Sequence, residues 1–139
     1  MKTSTLAFLS VPLVTASFLC SYFLELTMSN AEQYLGLIAV VFIDGLFGII
    51  AGAKREGFQT RKAVRVLQRA VSWAMFLTVI LMVEKGFKGT AWLSEAVIIP
   101  FIILQLISAL KNASMAGFIK TEEVNKILDR IDNHKGFRK

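Results

Sequence analysis

One carboxylic acid, Asp44, lies in the middle of a long apolar run, where a charged side chain has the most scope for chemistry. A carboxylate near the middle of a membrane span costs about 2.5 to 3.5 kcal/mol, so it should face protein or water. Gly45, Gly48 and Gly52 follow at spacings of three and four, which predicts close contact with a neighbouring helix. Two interpretations stay open: a contact between helices that can exchange its polar partner for water, or a hydrogen bond inside one monomer with a role in folding only.

A second set of polar residues lies in a later apolar run. Gln105, Ser108 and Asn112 recur at spacings of three and four and therefore form one stripe on a helix. Such a stripe favours hydrogen bonds between helices or the lining of a water-filled lumen. In the same run Glu95 can reach the membrane interface, and Pro100 removes a backbone hydrogen bond and predicts a kink. These residues, together with Asp44 and the three glycines that follow it, are candidates for helix packing or for lining a lumen.

Four bases, Arg61, Lys62, Arg65 and Arg69, form a basic ridge that leads into a further apolar run. Anionic lipid headgroups are the predicted partners, at about 1 kcal/mol per base near a membrane surface. Nucleic acid is not expected as a partner, because neither aromatic residues nor a recognition motif accompanies these bases.

The sequence contains none of the common catalytic arrangements. It has no Ser/His/Asp set, no glycine-rich phosphate loop and no histidine cluster. The single cysteine, Cys20, excludes an intrachain disulfide and a cysteine-rich metal site, and the single histidine is His134. We therefore expect a protein that is not an enzyme and that needs no cofactor or metal.

The elements that must position these residues are membrane-spanning helices. Of 139 residues, 55% are hydrophobic and 19% are charged, and the mean hydropathy of +0.58 is too apolar for an ordinary soluble domain. The sequence predicts an all-α integral membrane protein with a membrane domain over residues 1–120, whose four spans cover about residues 6–24, 34–53, 63–83 and 91–110. The first span is either a loosely attached helix or a signal-like segment. Ser29 and Glu32 predict a capping box before the second span.

The distribution of basic residues predicts the orientation. Most of the Lys and Arg residues lie between residues 54 and 69 or beyond residue 110, whereas the segments 25–33 and 84–90 carry few. Because positive residues accumulate on the cytoplasmic side, both termini are expected to face the cytoplasm.

Residues 121–139 are predicted to form a cytoplasmic tail. Thr121 can cap a short amphipathic helix, and the helix has an apolar stripe of Val124, Ile127, Leu128 and Ile131. Such a helix is expected to lie on the membrane or against another subunit, and a basic end follows it.

The region from Leu37 to Ile131 resembles the toxin-secretion and phage-lysis holin family, the bacteriophage holin family. The segment Val41 to Lys54 is similar to that family's helix with an Asp-x-x-x-Gly core and a basic turn after it. The lysine-containing turn before Ala63 to Val83 resembles the second block of the family. The run from Ile103 to Ile119 resembles the closing block, although this chain has Gln where the family more often has Glu in the polar stripe.

The resemblance implies a phage-encoded protein that forms homo-oligomers in the bacterial host's cytoplasmic membrane and opens lesions there. The lesions would release a wall-degrading endolysin, a functional partner for which no direct binding is implied. Asp44 and the stripe that includes Gln105 would line the lumen or the contacts between helices. Two other classes stay open: a structural membrane subunit of a larger envelope or virion complex, and a small ion channel or transporter subunit that uses Asp44 and Glu95 as ion-binding carboxylates.

Overall fold

The computed structural model describes residues 2–57 and 59–134, with side chains described from residue 11 onward. Within these residues the chain is helical apart from short connections and contains no strand, so the predicted all-α class is confirmed. The described residues form five α-helices, in the order α1 Lys2–Ser29, α2 Ala31–Glu56, α3 Thr60–Gly86, α4 Leu93–Met115 and α5 Thr121–His134.

Four of these helices, α1 to α4, belong to segments that are long and apolar enough to cross a membrane, which confirms the prediction of four spanning helices. The third helix begins at Thr60 and therefore includes the basic ridge in its first turns. Arg and Lys are good helix formers, so the helix extends beyond the apolar run. As a result the bases lie on defined faces of α3 and not in a loop.

The connection between α1 and α2 differs from the predicted capping box. The first helix continues through Ser29, whose hydroxyl donates a hydrogen bond to the Glu25 carbonyl oxygen at 2.7 Å. A serine inside a helix commonly bonds back to the carbonyl four residues earlier. Asn30 precedes α2 and makes no side-chain capping bond, so the capping-box prediction is wrong.

The core lies among α2, α3 and α4. Leu37 and Val41 of α2 and Leu77 of α3 are fully buried there. Trp73 of α3 stacks on Phe101 of α4, with the ring centroids 3.5 Å apart and the planes inclined by 25°. Apolar residues at helical spacing on each of the three helices thus meet in one cluster, which sets the positions of the polar residues on the same faces.

Among residues 11–29, the part of the first helix whose side chains are described, contact with this bundle is made near the C-terminal end. Residues 11–20 are exposed, whereas Leu26 is buried and Tyr22 is half-buried against the core. Lys85 of α3 lies 3.7 Å from Glu25 and 5.0 Å from the centroid of the Tyr22 ring. The surface of residues 11–20 is therefore free to contact lipid or protein.

The start of α4 is capped from the end of α3. The backbone N–H of Ser94 donates a hydrogen bond to Glu84 Oε1 at 2.6 Å, which satisfies one of the free N–H groups in the first helical turn.

We expect Glu84→Ala to lower the free energy of unfolding by about 1 kcal/mol, a typical cost for a lost cap. The measurement is thermal unfolding in detergent, followed by circular dichroism. Glu95→Ala is the matched control, because Glu95 is an exposed carboxylate in the same turn. Equal losses in the two variants would contradict the capping role.

The end of α4 turns the chain back on itself. The N–H of Phe118 donates to the Ala113 carbonyl at 3.0 Å and the N–H of Gly117 donates to the Ser114 carbonyl at 2.9 Å, the two bonds of a Schellman motif. Gly117 has a φ of 84°, a left-handed conformation that glycine adopts without strain. The turn directs α5 back along α4.

The fifth helix packs against α4 of the same chain. Val124 is buried, and an apolar groove remains between Ile103 and Leu106 of α4 and Ile127 and Ile131 of α5. The sequence predicted contact with the membrane or another subunit and did not foresee this intramolecular contact. Part of the apolar stripe is used inside the monomer and part stays open.

Candidate functional site

A buried acid joins three of the spanning helices. Asp44 of α2 has only 4% of its surface exposed. Its Oδ2 accepts a hydrogen bond from Arg69 Nη1 of α3 at 3.3 Å, and its Oδ1 accepts one from Asn112 Nδ2 of α4 at 2.9 Å. We call Asp44, Arg69 and Asn112 the Asp44 cluster. Because its members lie on different helices, the cluster ties α2, α3 and α4 together.

The charged groups of this cluster differ in how far the protein buries them. The Asp44 side chain is 5% exposed and the Arg69 side chain is 50% exposed. The carboxylate is therefore the more deeply buried charge, and its two hydrogen bonds offset part of the cost of removing it from water. Arg69 can keep most of its donors for other partners, since a guanidinium has five N–H groups.

The cluster forms at this place because of the residues around it. On α2, Asp44 shares a face with the buried Leu37 and Val41, so the packing of that face carries the carboxylate inward. On α4 the buried neighbours of Asn112 are Ala109 and Ala113, whose small side chains let the helix approach closely.

The glycines of α2 lie at the same contact. A Cβ atom at Gly45 would come within 2.9 Å of Val66 Cβ on α3, and closer still to both methyl groups. A Cβ atom at Gly48 would lie 3.4 Å from Asn112 Nδ2 on α4. The sequence predicted close helix contact at these glycines, and the structure shows that the two neighbours are α3 and α4.

The basic ridge is divided by the structure. Lys62 Nζ lies 3.2 Å from Glu56 Oε2, and a Cβ atom at Gly52 would come within 2.7 Å of the same ammonium group. Arg69 faces Asp44, whereas Arg61 and Arg65 are exposed. Two of the four predicted lipid contacts thus also touch protein groups.

The hydrogen-bonding groups in the polar stripe of α4 have partners only in part. Ser108 lines the same cleft as Asp44 and Asn112. Gln105 lies further along the stripe, and its Oε1 is buried without a hydrogen-bond partner among the described residues. A buried polar atom left in this state typically costs about 1 to 3 kcal/mol. The stripe therefore contains one group that would gain from a different environment.

Two of the residues predicted for the site, Glu95 and Pro100, lie away from the Asp44 cluster. Glu95 is exposed in the first turn of α4, at the opposite end of that helix from Asn112, and it lines a cavity to which Glu32 of α2 also contributes. At the rise of an α-helix, Glu95 and Asn112 are about 25 Å apart along the axis. Pro100 is an exposed residue within α4, and the helix continues through it. Asp44 and Glu95 therefore do not meet in a common site.

Sequence reasoning missed two polar contacts between helices. Lys54 Nζ, at the end of α2, donates to the Ala116 carbonyl at the end of α4. Tyr34 of α2 and Thr78 of α3 share a hydrogen bond of 2.7 Å between their hydroxyl oxygens. A lysine after an apolar run and a carbonyl before Gly117 are weak signals on their own, because the pairing depends on how the helices pack.

Four spanning helices with a buried polar junction define a multi-pass membrane protein of the helical-bundle class. Residues 22–133 match the model of the bacteriophage holin family, and the chain belongs to that family. The predicted resemblance is thereby confirmed. The match includes the whole Asp44 cluster and begins near the C-terminal end of α1. Comparisons with the curated proteins and with the solved structures give no match.

Proposed function

We propose that this protein oligomerises in the bacterial cytoplasmic membrane and forms lesions through which a phage endolysin reaches the cell wall. The observation that carries the proposal is the Asp44 cluster, a polar junction of three spanning helices in a chain of the holin family. Inside the monomer the cluster satisfies a carboxylate that would otherwise be costly at membrane depth. The folded monomer can therefore accumulate in the membrane without opening a water path.

The same residues support an open state. Separation of α2 from α4 would expose Asp44, Ser108 and Asn112 on facing surfaces, where water or another subunit could replace their present partners. Gln105 lies on the same stripe of α4, and its buried Oε1 would gain a hydrogen bond if water reached that stripe. Several copies with these surfaces turned inward would surround a wet lumen, and their apolar faces would remain toward lipid.

The distribution of bases supports the orientation. The basic start of α3 lies on the same side as the end of α4, since Lys54 and Ala116 are in contact. Both regions belong on the cytoplasmic side by the positive-inside rule, which also places both termini there. The bases that remain exposed, such as Arg61 and Arg65, face anionic headgroups in that leaflet.

The test is induced expression in a bacterial host, with and without an endolysin that lacks its own export signal. Membrane potential is followed with a potential-sensitive dye and lysis is followed by turbidity. We expect abrupt depolarisation at a reproducible time, and lysis only when the endolysin is present. An empty vector with the same endolysin is the control.

Other outcomes would contradict the proposal. Growth with an intact potential, after membrane insertion has been verified, would favour a structural subunit. A steady ion-selective current without cell death would favour a channel or transporter subunit. In neither case would the endolysin reach the wall.

A further inference from the structure

A cleft on the bundle surface brings bases and neutral donors together beside the Asp44 cluster. Helix α3 contributes Lys62, Arg65 and Arg69, which are spaced by three and four residues and therefore share a face. Helix α4 contributes Ser108 and Asn112 to the same cleft. We propose that this cleft is a binding site for a phosphate group.

The charge of the cleft favours an anion. Its three bases face one carboxylate, Asp44, both of whose oxygens already accept hydrogen bonds. Arg65 makes no hydrogen bond or ion pair with the residues that the structure describes. The only acidic partner of Lys62 there is Glu56, which is 60% exposed, and such exposed pairs contribute little. The cleft thus has positive charge that its own groups leave largely unused.

The geometry suits a tetrahedral oxyanion. Guanidinium groups bind phosphate oxygens through two parallel N–H bonds, and Arg65 and Arg69 are one helical turn apart. Asp44 holds one N–H of Arg69 and so orients that guanidinium without occupying its other donors. The Ser108 hydroxyl supplies a neutral donor on the opposite wall, where Asn112 Nδ2 already donates to the side chain and the backbone carbonyl of Asp44.

Two sources could supply the phosphate group. Lys62 and Arg65 lie in the first two turns of a spanning helix, near the level at which phospholipid headgroups meet the protein, and Arg69 lies one turn deeper beside Asp44. A phosphodiester of an anionic lipid can enter the cleft from the membrane side, and a free phosphate anion can enter it from the aqueous side. The chemistry of recognition is the same in both cases.

Binding is tested with the purified full chain in a neutral detergent. Phosphatidylglycerol is titrated, and the bound lipid is counted by native mass spectrometry. A parallel arm adds inorganic pyrophosphate as a competitor. We expect saturable binding of one lipid per chain, and we expect Arg65→Gln to raise the apparent Kd about tenfold, the effect of losing one charge-assisted contact.

Arg55→Gln is the matched control, because Arg55 is an exposed base at the end of α2 outside the cleft. Both substitutions remove one charge, so an equal loss of binding would show only diffuse attraction and would overturn the site. Absence of saturable binding to the unaltered chain would overturn it as well. Displacement of the lipid by pyrophosphate would mean that the phosphate group suffices, and retention would mean that the lipid is the ligand. The site belongs to the folded monomer, so its loss and a failure of lysis are separate results.

Discussion

Replacement of Asp44 by asparagine is expected to bring membrane depolarisation forward in time. The amide has nearly the shape of the carboxylate and can still bond to Asn112, but it loses the charge attraction to Arg69. Because the Arg69 side chain is half exposed, the variant does not leave an unpaired guanidinium buried in the core. We expect the closed monomer to lose roughly 1 to 2 kcal/mol relative to the open state, a shift of about 5- to 30-fold in that equilibrium.

The measurement is the interval between induction and loss of membrane potential, at matched protein levels. Asp129→Asn is the control, because Asp129 is an exposed carboxylate of α5 that is remote from the cluster along the chain, and its timing should not change. Gln105→Leu should act in the opposite direction, since it removes the buried oxygen that favours opening. Unchanged or later depolarisation in Asp44→Asn would show that the cluster does not restrain opening.

Replacement of Gly45 by alanine should have the largest effect on the stability of the bundle. The added methyl group would collide with the Val66 side chain, whose Cβ lies 2.9 Å from the ideal position of the new atom. Real Cβ contacts are not so short, so α2 and α3 must move apart. Overpacking of a close contact costs about 1 to 3 kcal/mol, and here it would also pull Asp44 away from Arg69.

Thermal unfolding in detergent, followed by circular dichroism, measures this loss. Gly36→Ala is the matched control in the same helix, because no atom of a neighbouring helix lies within 4 Å of the added Cβ and alanine is the better helix former. Its stability should stay the same or rise. A second substitution, Val66→Ala, should restore part of the stability of the Gly45 variant. If the two glycine variants unfold at the same temperature, the close approach at Gly45 is not important for stability.

Membrane spans could be read directly from the sequence. Their signal is local, since each span needs only a sufficient run of apolar residues and no knowledge of its neighbours. The same holds for the amphipathic tail, which the structure shows as α5, because a helical stripe is visible in a few consecutive residues. Asp44 was identifiable as a special residue for the same reason: a charge in an apolar run is conspicuous wherever it points.

The interaction partners of individual side chains could not be predicted from the sequence in this way. The sequence predicts that Arg69 contacts lipid, yet its guanidinium bonds to Asp44, and this pairing depends on the angle and register at which α2 and α3 pack. The sequence predicts that Ser29 caps α2, but α1 continues through this residue. The polar stripe of α4 is visible in the sequence. The sequence does not show that Asn112 has hydrogen-bond partners, or that the buried Oε1 of Gln105 has none among the described residues.

The sequence by itself therefore determined the class of protein, the number of spanning helices and the residues that membrane burial makes costly. Only the tertiary structure decided which bases meet the buried acid, which glycines admit a neighbouring helix and where α5 packs. The physical reason is that hydrophobic burial in a bilayer acts on each segment separately. Hydrogen bonds and close packing between helices depend on distances of a few tenths of an ångström between residues far apart in the chain.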